Sequence, residues 1–174
     1  MDQNNDYLIN GQVANVQSEA YVVEGIDQVD ETEEMENTLR LKHQVSSGAG
    51  WFYWIAALSM VNTITYVLNY DWSFINGLGI TQIIDGIAYE FTGGLKVAFF
   101  GADVFIALIF VYLGSCAGKR KNWAFIVGLI AYTLDALIFF LVNDFLSIGF
   151  HVFALFGIFT GLKASKQLIK VNAK

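Results

Sequence analysis

Proline is absent from the 174 residues and cysteine occurs once, as Cys116. The first absence excludes a Pro-rich linker or a collagen-like repeat. The second excludes an intrachain disulfide framework and any Cys-based zinc module. Charge is scarce as well: Asp, Glu, Lys and Arg make up 15% of the chain, where an ordinary soluble domain carries about a quarter. No GxSxG elbow is present, and neither Cys116 nor any serine pairs convincingly with a histidine as a nucleophile. Gly77-Leu78-Gly79 lacks the third glycine and preceding strand of a dinucleotide loop. Nucleic-acid binding would need more base and more exposed aromatic side chains than the chain offers. What it does hold is 55% apolar and 16% aromatic residues.

These are unevenly spread, and the chain divides into two materials. Residues 1–45 carry ten acids against two bases, Arg40 and Lys42, while residues 46–174 carry six acids against eight bases. In the first stretch the longest apolar run is Tyr21-Val22-Val23. It is too polar to offset the entropy of ordering, so composition predicts a largely disordered acidic tail over 1–45. Its acidic start, with no apolar segment behind it, is not that of a signal peptide. One short helical piece is expected where Thr32 can cap and Glu36 and Arg40 stand four apart. The tail reads either as a solvated tether or as a docking segment for a basic partner.

Residues 46–174 read as a transmembrane domain. Segments 51–68, 97–118, 122–143 and 145–162 hold at most one charge each: none in the first, Asp103 in the second, Asp135 in the third, with His151 the titratable group of the fourth. About 20 helical residues cross a hydrocarbon core of about 30 Å. Buried soluble helices would show charged faces at i, i+3, i+4 spacing, and these do not. The bases set the orientation: Arg40 and Lys42, Lys119-Arg120-Lys121, and Lys163, Lys166, Lys170 and Lys174 fall on one side, leaving Lys96 on the other. Both termini are therefore expected in the cytoplasm. Trp51, Trp54 and Trp123 mark the inner boundary, Tyr70 and Trp72 the outer.

The long outer connection contains Ile80, Ile83, Ile84, Ile87, Ala88 and Phe91 at helical spacing, with Thr81, Gln82, Asp85 and Tyr89 opposite. That predicts an amphipathic helix over 79–91, packed as a lid on the bundle or lying on the surface. Without Lys or Arg on its polar face, it has no means of gripping anionic lipid.

Within the spans, Asn62, Asp103, Asp135 and His151 each stand seven or eight residues from the outer boundary. At about 1.5 Å per residue they share one depth, roughly 10–12 Å down. Small residues line their faces, such as Ala107 with Asp103 and Gly128 with Asp135, so the polar groups are expected to point inward. The result is a predicted cluster of Asn62, Tyr66, Asp103, Tyr132, Asp135 and His151 beneath the polar lid face of Gln82, Asp85 and Tyr89. Such a layer fixes helix register, handles protons or cations, or ligates a metal for hydrolysis. No cofactor is indicated. The expected partners are the lipid bilayer and a membrane protein or second copy of the chain. Association, as an accessory subunit or scaffold, is the leading expectation, ahead of proton or cation transport. The pairs Gly114–Gly118 and Gly157–Gly161 are expected to serve packing within the chain.

The stretches WFYWIAALS, GLGITQIIDGIA, WAFIVG, YTLDALIF and DFLSIGFHVFALF resemble a family of small four-helix bacterial integral membrane proteins with no assigned function. The resemblance covers roughly residues 51–165. It implies a prokaryotic plasma membrane and brings no catalytic residue.

Overall fold

The computed structural model describes residues 3–68, 78–91, 93–141 and 143–171, with side chains from Thr32 onward except those of Tyr66, Val67, Tyr89 and Leu95. Every described element is a helix: α1 Gln3–Val67, α2 Gly79–Tyr89, α3 Gly94–Gly118, α4 Asn122–Leu141 and α5 Phe145–Val171. The chain forms two compact units, one ending at Arg40 and one from Leu41 to Lys174.

Residues 3–45, expected to be largely disordered, are helical throughout. No proline interrupts them. A helix closes its own backbone hydrogen bonds whether or not a core exists to bury it. From Thr32 the side chains of this first unit are mostly exposed, and the Arg40 guanidinium donates to Asn37 Oδ1 at 3.2 Å rather than pairing with Glu36.

Among the described residues, three helices of the second unit are long and apolar enough to cross a membrane: Lys96–Gly118, Asn122–Leu141 and Phe145–Val171. Their free faces carry Phe105, Leu134, Leu137, Phe153 and Phe156, all exposed. The expected first span, 51–68, lies in α1 but is not one of these three. Trp51, Tyr53, Trp54, Ser59, Asn62, Thr63 and Thr65 dilute its apolar character, and three of those polar residues belong to the site below.

The second half of α1 nevertheless packs closely on the other helices. A Cβ placed on Gly48 would lie 2.5 Å from the Cα of Gly161, so glycine is needed on both sides of this crossing. Phe52 fills the space left by Gly128, and Trp51 that left by Gly157. Gly114 likewise faces Phe52 and Tyr53, so both glycine pairs pack within the chain. The core joins Phe52 and Ile55 of α1 to Phe110 of α3, Phe125 and Tyr132 of α4 and Ile158 of α5.

Two tight turns make α3, α4 and α5 antiparallel neighbours. After α3, Arg120 takes φ 63°, with its amide bonded to Ala117 O at 2.9 Å and that of Lys121 to Cys116 O at 3.1 Å. After α4, Asn143 takes φ 58° and the Asp144 amide reaches Phe139 O at 3.0 Å. Both are Schellman closures, which satisfy the last carbonyls of a helix. Asp144 then caps α5, accepting from the Ser147 amide at 3.2 Å and its hydroxyl at 2.6 Å.

Helix α2 packs against α3 and α4. Thr81, Asp85 and Ala88 are buried, whereas Ile80, Ile83 and Ile87 are exposed. The apolar stripe does not seal the bundle. It turns outward because the surface it would cover is itself polar.

Candidate functional site

The end of the second unit where α4 gives way to α5 buries an unusual amount of polarity: Ser59, Asn62 and Thr63 from α1, Thr81 and Asp85 from α2, Asp103 from α3, Asp135 from α4, and Ser147 and His151 from α5. Each sits on the side of its helix shared with small residues, which lets the helices approach. The structure thus buries all four residues of the expected layer. The side chains of Tyr66 and Tyr89, which the sequence adds to it, lie outside the described residues, as do the boundary aromatics Tyr70 and Trp72.

Hydrogen bonding divides the layer in two. In the first half, Asp135 receives the Gly79 amide on Oδ2 and the Ile80 amide on Oδ1, both at 2.9 Å. These are orphan N–H groups of the first turn of α2, where Leu78 stands at the cap position with no side-chain bond of its own. A carboxylate from another helix therefore does the work of a cap, and negative charge there suits the helix dipole. His151 Nε2 lies 3.0 Å from Asp135 Oδ2, and Nδ1 lies 2.8 Å from the Ser147 carbonyl. A carbonyl only accepts, so Nδ1 carries hydrogen. The contact with Asp135 needs a second proton. That proton, shared between Nε2 and Oδ2, closes the contact. Tyr132 stacks on the imidazole, with ring centroids 4.2 Å apart and planes 17° apart, and Phe139 closes another side at 4.9 Å.

The second half is the opposite. Thr63 Oγ1 donates to Asp85 Oδ2 at 3.2 Å. Asp103 faces Asp85 closely enough for the two carboxyl groups to act on each other. Yet Asp103 is 0% exposed and no amide, hydroxyl or imidazole donates to either of its oxygens, so the Asp85 carboxyl is the polar group it meets. The buried amide of Asn62, beside Thr63 in sequence, is also without partners, and so are Gln82 Nε2, three residues before Asp85, and the Tyr132 hydroxyl. Buried polar groups are normally satisfied. An unpaired buried carboxylate would cost several kcal/mol, so this half needs a proton, a cation or water to complete it.

Within the expected cluster, contacts fall into two pairs, Asp135 with His151 and Asp103 with Asp85. The sequence placed Asp85 on a lid face and did not single out Thr63 or the α2 amides. The position of Asp85 opposite three isoleucines was the available signal, once that face is taken as the buried one. Among the described residues no three His, Cys, Asp or Glu side chains are grouped to hold a metal ion. The oxygens of Asp85, Asp103, Thr63 and Asn62 are hard donors suited to a proton or a small hard cation.

Fold and site together define an all-helical protein with three membrane-crossing candidates and ionisable groups buried between its helices. No family model, curated protein or solved structure matches the chain.

Proposed function

We propose that this is a four-span integral membrane protein, with both termini cytoplasmic, that takes up and passes a proton or small monovalent cation at the Asp85–Asp103 pair. The plasma membrane of a prokaryote is its setting, as the resemblance to small bacterial four-helix membrane proteins implies. The close fit of Gly48 to Gly161 supports the fourth span despite its polar residues. One observation carries the functional reading: a wholly buried carboxyl group that meets a second buried acid and no amide, hydroxyl or imidazole donor. A polar layer serving register alone would be fully satisfied, as Asp135 and His151 are. Two facing carboxyl groups share charge poorly and exchange a proton or cation readily.

The test is flux. Purified protein in proteoliposomes should dissipate an imposed pH or sodium gradient, and Asp103→Asn should abolish this while the protein still reconstitutes. Equal flux in the variant and the wild type would reject the reading.

A second reading, association with a basic partner, is favoured by the first unit. Met35 and Leu39, 61% and 59% exposed, stand four apart on the helix among exposed Glu33, Glu34 and Glu36. Co-isolation of a partner from native membranes, lost on Met35→Ser with Leu39→Ser, is the expected result. Identical co-isolation by the double variant would exclude this surface.

A further inference from the structure

We infer that α2 is a re-entrant helix, embedded within the outer leaflet, whose exposed isoleucine face is seated in lipid acyl chains rather than in water. The inference rests on the bilayer reading above and goes beyond it in assigning this face its partner.

Depth is the first argument. The Leu78 amide donates to Ser59 Oγ at 2.8 Å, and Ser59 stands eight residues before the end of α1 at Val67. At 1.5 Å per residue, the start of α2 lies about 12 Å inside that end. The carboxylate that receives Gly79 and Ile80 belongs to Asp135, six residues before the end of α4 at Leu141, or about 9 Å in. At its other end α2 is joined to Gly94, the first residue of α3, by residues 90–93, and Phe91 packs on Phe99 with ring centroids 5.7 Å apart. The helix therefore starts deep and rises to the bundle end.

The second argument is the fate of its backbone donors. In hydrocarbon every orphan N–H needs a partner from the protein. The amides of Leu78, Gly79 and Ile80 each have one, from Ser59 or Asp135. A helix lying at the surface would leave these groups to water.

The third is the free face. Ile80, Ile83, Gly86 and Ile87 form it, with no charge among them. It is flanked by α3 and α4, whose own free faces, with Phe105, Leu134 and Leu137, are apolar as well. One continuous apolar surface has one solvent, the acyl chains that surround the spans.

The experiment uses the unaltered full chain in phosphatidylcholine–phosphatidylglycerol vesicles containing a phospholipid with a diazirine midway along one acyl chain. After photolysis, mass spectrometry should find adducts on Ile80, Ile83 or Ile87 as well as on Leu134 or Leu137. Adducts on α4 with none on residues 79–89 would overturn this inference alone. No adducts on either would overturn the bilayer reading with it. As a second readout, a spin label at Ile83→Cys in a Cys116→Ala background should be relaxed by oxygen and shielded from aqueous nickel chelate. Relaxation by the chelate would put the face in water. Shielding from both reagents would put it against another protein, and either result overturns the inference.

Discussion

The two halves of the buried layer use the same side-chain chemistry to opposite ends. Around Asp135, a carboxylate meets an imidazole and two backbone amides, and every donor aimed at it finds an acceptor. Around Asp103, a buried carboxyl group meets another acid and no amide, hydroxyl or imidazole donor. Burial alone therefore does not tell the two acids apart. The count of donors does. Asp135 accepts the first amides of α2, the helix that carries Asp85.

The comparison breaks most readily at Asp135. Asp135→Ala removes the acceptor of the Gly79 and Ile80 amides and leaves His151 Nε2 buried without its partner. Breaking a buried pair from one side costs about 3–5 kcal/mol. Reversible unfolding in mixed micelles should show a loss of that size. A loss below about 1 kcal/mol would mean that Asp135 does not hold α2.

Asp103→Asn sharpens the contrast because the opposite sign is expected. The amide can itself donate to Asp85, and a neutral amide is less costly to bury than a carboxylate. The same assay should register no loss, or a gain of about 1 kcal/mol, in the variant that abolishes flux. Destabilisation comparable to that of Asp135→Ala would make the two halves alike and assign Asp103 a structural role.

Helices of the second unit were legible from apolar runs, because a membrane-crossing helix must be apolar along its whole length. Their ends were less so. The fourth span, read to 162, continues as helix to Val171, since Lys163, Ser165 and Lys166 end the apolar run without ending the helix. The tail was misread for a related reason: composition reports whether a segment can bury surface, and residues 3–45 are helical with little to bury. Depth arithmetic on Asn62, Asp103, Asp135 and His151 reached residues that the structure buries together. Pairing was beyond it, because partners depend on which helices adjoin and on where α2 inserts. Asp85 was legible on the polar face of the lid over the cluster, but its pairing with Asp103 was not.

Asp144 offers the mildest test, since it repeats the role of Asp135 at a half-buried position. Both carboxylates receive amides at the start of a helix, α2 in one case and α5 in the other. The Ser147 hydroxyl bond is the main cause that holds the Asp144 carboxyl below its ordinary value of 3.8, against a small opposing effect of burial, with the Ser147 and Leu146 amides and His151 adding to the lowering. A group depressed in the folded state stabilises the fold above its unfolded value, and that contribution fades as pH falls through the folded one. Asp144→Ala should therefore cost about 1 kcal/mol near neutrality, a typical N-cap loss. The gap between variant and wild type should hold down to about pH 4 and close below it. Unfolding midpoints measured from pH 7 to pH 3 check this. A gap that persists at the lowest pH would show that the stabilisation comes from packing of the turn rather than from the ionised cap.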